Sequence, residues 1–131
     1  LDGTRIELLA NIEFPHEMQA CLDRGAEGIG LYRTEFLYLG AESEPTEEDH
    51  YQAYAEVIRA MGERTVVIRT VDLGADKMGQ LPRTEEENNP FLGVRSIRLS
   101  LRNLDLFRVQ LRAIARASAT RCCSPPESWL G

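Results

Sequence analysis

The chain has 131 residues, 43% of them hydrophobic and 27% charged, and its 15 Lys+Arg against 21 Asp+Glu give a formal net charge of -6. That is the balance of one globular domain with a real core, not of a disordered tract. The acidic surplus argues against a general nucleic-acid binder, and no apolar run approaches the roughly 18 residues of a membrane span.

No basic stretch and apolar core of a signal peptide opens the chain. It begins with Leu1 rather than Met, which is expected of a cut or processed start. Cys21 stands alone and Cys122 and Cys123 are neighbours. Without CxxC or His spacing these make neither a zinc site nor a disulfide framework, and the expected compartment is the reducing cytoplasm.

Residues 5–12 read as a short apolar strand bounded by Asp2-Gly3 and Pro15. Pro15 opens a helix whose apolar positions are Met18, Leu22 and Cys21, with Gly25 as its stop. Residues 28–32 form a second apolar strand ending at Arg33-Thr34-Glu35. Thr46-Glu47-Glu48-Asp49 is a helix start, with acids at the positive end of the dipole. Tyr51, Tyr54, Ala55, Ile58 and Met61 then recur at helical spacing up to Gly62. Residues 65–68 are β-branched and apolar, a third strand, and end at Arg69-Thr70-Val71-Asp72.

A polar connection from Gly74 to Asn89 follows, long enough to suggest a functional loop. Residues 91–101 fit helix and strand periods equally. From Asn103 a helix is expected, with Phe107, Leu111, Ile114 and Ala115 as its apolar stripe and Arg108, Arg112 and Arg116 as a solvated basic one. Alternating strands and helices predict an α/β domain of parallel βα units over 1–119. Residues 120–131 lose all periodicity and contain Pro125-Pro126, and are expected to be a foreign or altered tail.

Two strands thus end in Arg-Thr, at Arg33-Thr34 and Arg69-Thr70. The carboxyl ends of parallel strands form the ligand face of such folds. Two guanidinium forks there suit a phosphate or carboxylate, and Arg95 is a third candidate. The competing reading pairs each arginine with Glu35 or Asp72 as a structural ion pair. Asp72 and Asp76 are a weak metal signal, and Asp72 is better read as orienting Arg69. Gly28 and Gly30 open no helix and so make no dinucleotide loop; they read as close packing within a strand. His16 and His50 are expected to face solvent with no catalytic partner.

Gly28-Ile29-Gly30-Leu31-Tyr32-Arg33-Thr34-Glu35-Phe36-Leu37-Tyr38 resembles a block in the C-terminal domain of the Enzyme I family. These are the phosphoenolpyruvate–protein phosphotransferases of the bacterial sugar phosphotransferase system. Pro45-Thr46-Glu47-Glu48, the run Arg69 to Lys77, the run Asn89 to Arg95 and the run Gln110 to Ser118 continue the likeness in order. The spelling looks more like Enzyme I than like pyruvate phosphate dikinase or phosphoenolpyruvate synthase.

The resemblance implies the first part, about half, of a TIM (β/α)8 barrel, which needs about 200 residues or more. It implies phosphoenolpyruvate as substrate, bound by Arg33, Arg69 and Arg95, with no catalytic residue and no metal ligand in this chain. Mg2+ is the implied cofactor and a histidine-containing phosphocarrier protein the implied partner. The expected activity is that of an enzyme fragment, inactive alone. The alternatives are a dikinase or synthase fragment, an anion-binding module that pairs two copies to cover open sheet edges, or a structural piece whose arginines are ion-paired.

Overall fold

The structure, a computed structural model, describes residues 2–39, 41, 43–73 and 96–122. Three strands, β1 (Leu9–Ile12), β2 (Gly28–Arg33) and β3 (Val66–Arg69), form a sheet in the order β1-β2-β3. Both pairings are parallel. The connections carry α1 (Met18–Asp23) and α2 (Glu47–Met61), as parallel strands require. After β3 come α3 (Ile97–Arg102) and α4 (Leu104–Cys122). The α/β reading and the three strands therefore hold.

β1 is shorter than the apolar run that suggests it. Ile6 and Leu8 are 78% and 64% exposed, so hydrophobicity there is not matched by close packing among the described residues. The ladder begins only where Leu9 finds Gly28. β2 is the central strand and carries the core residues Ile29 and Tyr32, both fully buried. Its glycines earn their place by close approach. A Cβ on Gly28 would meet the Thr65 carbonyl oxygen at 2.7 Å, and one on Gly30 would meet the Leu9 Cβ at 2.8 Å.

Thr46 caps α2. Its hydroxyl accepts from the Asp49 amide at 3.2 Å, and the Asp49 carboxylate accepts from the Thr46 amide at 2.8 Å. Gly62, at a positive φ of 56°, ends the helix. α2 lays Tyr54, Ala55, Val57, Ile58 and Met61 on the sheet residues Ile12, Ile29 and Tyr32, and α4 closes the same cluster with Ala113 and Ala117. The ambiguous stretch resolves as helix over Ile97–Arg102.

The buried face of α4 is not the stripe expected from Phe107, Leu111, Ile114 and Ala115. Leu106, Gln110, Ala113 and Ala117 are the buried residues, while Leu111 is 43% exposed. Small alanines let α4 approach α2 closely, and a hydrogen-bonding glutamine sits where apolarity alone would place a leucine. The basic stripe is exposed, as expected. Arg116 also bridges to α2, pairing with Glu47 and Glu48 at 2.8 Å each and lying over the Tyr51 ring.

His50 is a correction. It was expected to face solvent, and it is fully buried. The helix turns it inward, where Tyr38 and Tyr54 satisfy both ring nitrogens at 3.0 and 2.9 Å. His16 is exposed and stacks on Phe14. α4 runs on through Cys122, past residue 119; residues 123–131 lie outside the described residues, as do Asp76, Lys77 and Arg95.

Candidate functional site

β2 and β3 end together. Arg33 is the last residue of β2, Arg69 the last of β3, and the two are register partners. Parallel strands in register release their following loops at one edge of the sheet, so both guanidinium groups are delivered there. The side chains are 37% and 33% exposed, which keeps them reachable.

Glu35 stands between them. The chain turns into a single 3-10 turn, Thr34–Leu37, directly after β2, and this folds the carboxylate back over the strand ends. One Glu35 oxygen accepts from Arg33 Nε at 3.3 Å and from Arg69 Nη2. Only 7% of the Glu35 side chain is exposed. Arg33 also pairs with Glu13 at 2.6 Å and lies over the Phe36 ring, and Arg69 pairs with Asp72 at 3.5 Å. Among the described residues the two arginines thus face three carboxylates. The ion-paired arrangement weighed from the sequence is present, and it holds both forks beside one another. Arg69 Nε and the second Glu35 oxygen are buried with no hydrogen-bond partner among the described residues.

Behind the arginines lies a buried polar chain that the sequence did not announce. Thr34 Oγ1 donates to the Arg69 carbonyl at 2.8 Å. Gln110 Nε2 donates to Thr34 Oγ1 and to Tyr54 OH, each at 3.0 Å, and Gln110 Oε1 accepts from the Val71 amide at 2.9 Å. Tyr54 passes the chain to His50, and His50 to Tyr38. Burial pushes the Tyr54 hydroxyl up to about 12, with the bond from Gln110 pulling the other way, and raises Tyr38 as well. Burial also depresses the His50 imidazole below its ordinary value, against the pull of Asp49. Thr34 and Gln110 were visible only as members of quoted motifs. Their spacing of 76 positions in sequence left no local signal.

These residues bring together planar cationic donors beside a rigid strand edge, which suits recognition of a small anion rather than bond-making. A groove at the surface elsewhere, lined by Arg5, Glu7, Ala26, Glu27 and Arg64, already pairs Arg5 with Glu27. Among the described residues no group of three or more His, Cys, Asp or Glu is placed to hold a metal ion. Glu13, Glu35 and Asp72 are turned to arginine. The described residues therefore do not fit a Mg2+ site. Among the described residues no helix is long and apolar enough to cross a membrane.

The model of the PEP-utilising enzyme, PEP-binding domain family matches residues 1–124. The chain belongs to that family. Among curated relatives, the phosphoenolpyruvate-protein phosphotransferase of Staphylococcus aureus is 53% identical over 118 residues, covering 90% of this chain and 21% of the relative. The enzyme of the same name from Listeria monocytogenes serovar 1/2a is 50% identical over 117 residues, covering 89% of this chain and 20% of the relative. That of Staphylococcus carnosus is 53% identical over 119 residues, with 89% and 20% covered. This member of the PEP-binding domain family thus spans about a fifth of the length of the relatives it matches. The resemblance found from the quoted motifs agrees with the family and with the relatives' names.

Proposed function

We propose that the chain is part of a phosphoenolpyruvate–protein phosphotransferase of the Enzyme I type and supplies arginines for the phosphoenolpyruvate phosphate. The observation that carries this reading is the pairing of Arg33 with Arg69 at the carboxyl ends of neighbouring parallel strands, in a chain about half identical to proteins of that name. Arg95 joins them as the third candidate. The three parallel strands then form the first part of a (β/α)8 barrel, whose ligands gather at this end.

In the whole protein, phosphoenolpyruvate gives its phosphoryl group to a histidine, which hands it to a histidine-containing phosphocarrier protein in the cytoplasm, in service of sugar uptake. Positioning and charge neutralisation dominate such a transfer. The arginines neutralise phosphate oxygens and fix their orientation. The nucleophile and the Mg2+ ligands are assigned to parts of the relatives that this chain does not span, so the chain alone is inactive. Among the described residues β1 and β3 are the edge strands of the sheet, and edges of this kind favour self-association of copies.

The test is an amide proton–nitrogen spectrum titrated with phosphoenolpyruvate. Shifts at residues 33–35 and 69–72 that vanish in Arg33→Ala and Arg69→Ala support the site; a folded chain indifferent to the ligand overturns it. In that event the ion pairs around Glu35 are structural, which is the second reading the geometry favours. Phosphorylation of a phosphocarrier by this chain alone would overturn the inactivity, and sedimentation as a monomer would overturn the self-association.

A further inference from the structure

We propose that Gln110 is the positioning residue that sets the distance between Arg33 and Arg69, and that Thr34 relays its hold. The proposal rests on the reading of those arginines as an anion clamp and goes beyond it to a residue of α4.

A primary amide inside a protein is costly unless its atoms are satisfied. Gln110 is fully buried, and what it bonds is informative. Its oxygen accepts from the Val71 amide, two residues past Arg69. Its nitrogen donates to the hydroxyl of Thr34, the residue after Arg33. That hydroxyl donates in turn to the carbonyl of Arg69. The main chain directly after Arg69, at Val71, and the residue next to Arg33 are therefore tied to one amide group, and the carbonyl of Arg69 is tied to it through Thr34. The second N–H goes to Tyr54 OH and anchors that group on α2.

The direction of every bond follows from the donors available. A backbone N–H only donates, so the Val71 bond fixes which end of the amide is oxygen. Both nitrogen protons are then spent, and the Thr34 proton is left for the Arg69 carbonyl. The last residues of a strand are otherwise free to splay, since the ladder stops there. Clamping groups must be held to about half an ångström to act together. A rigid amide between two strand ends supplies that constraint, where a leucine on the same helix face would supply only bulk.

The experiment uses the 131-residue chain, isotopically labelled, as wild type and as Gln110→Met, Thr34→Val and Thr34→Ser. Gln110→Met keeps the volume and removes three bonds; Thr34→Val removes the relay; Thr34→Ser restores the hydroxyl. Two readouts are taken on folded samples: the arginine Nε–Hε resonances of Arg33 and Arg69, and affinity for phosphoenolpyruvate.

The expected result is that Gln110→Met and Thr34→Val both move the two arginine resonances and weaken binding on the order of tenfold, with Thr34→Ser like wild type. Lower stability with unmoved resonances and unchanged affinity overturns the proposal. A wild type that binds no phosphoenolpyruvate overturns the anion clamp and not the positioning, which the arginine resonances then decide alone. If Gln110→Met does not fold, the Thr34→Val and Thr34→Ser comparison decides in the same way.

Discussion

Arg33 and Arg69 are register partners on adjacent parallel strands and share one oxygen of the Glu35 carboxylate. Like charges at the ends of neighbouring strands repel, and a single shielded acid answers both. This makes Glu35 the counter-ion that the two guanidinium groups share.

Glu35→Gln removes that charge and keeps the shape. Breaking a buried ion pair from one side is strongly destabilising, and here the arginines keep about a third of their surface in water. A loss of about 1–3 kcal/mol is expected in urea unfolding. Glu13→Gln, whose side chain is 35% exposed, should cost less than about 1 kcal/mol. Equal effects from the two substitutions would show that Glu35 is no special counter-ion.

Acid should weaken the fold through His50. Its imidazole is depressed by burial between Tyr38 and Tyr54, while Asp49 on the same helix pulls the other way. In the folded chain it stays neutral when the unfolded chain has already taken up a proton. The neutral contribution is whole above the ordinary value of about 6.5 and declines as pH falls below it, by at most about 1.4 kcal/mol per pH unit. Asp49 and Glu17, both depressed by the amide and hydroxyl donors that they accept from, lose stability in a lower window, below about pH 4.5. Denaturant midpoints between about pH 7 and about pH 5 should therefore fall more for wild type than for His50→Gln. Parallel curves would reject this assignment.

Core burial and surface charge should differ sharply. Ile29 is wholly buried at the centre of the sheet, and Ile29→Ala is expected to cost about 2–5 kcal/mol. Arg116→Ala breaks two ion pairs and a ring contact, yet all lie at the surface, and a much smaller loss than that of Ile29→Ala is expected. Thermal or urea unfolding of the two variants checks the order.

Gly28→Ala tests the close approach of β2 to its neighbours. The new methyl would lie 2.7 Å from the Thr65 carbonyl oxygen, a main-chain atom that cannot step aside. A loss of about 1–3 kcal/mol is expected by denaturant unfolding. Gly62→Ala, with nothing near its Cβ, should act only through its positive φ of 56°.

The sequence by itself determined the three strands, the capped helix after Thr46 and the arginine at the end of each of two strands. Those features are local: apolar runs, cap spacing and a glycine stop are written in neighbouring residues. The family, too, was legible in short ordered motifs. What only the tertiary structure decided was which faces turn inward. The acidic neighbours of His50 suggested solvent, but helix phase carries it between two tyrosines. Leu111 looked like core, but the approach of α4 to α2 selects alanines and Gln110. The amide of Gln110 reaches Thr34 across 76 positions of chain. A hydrogen bond has no sequence signature when its partners meet only after the sheet and helices have packed, and that is why the residues tying Arg33 to Arg69 lay hidden while the arginines themselves did not.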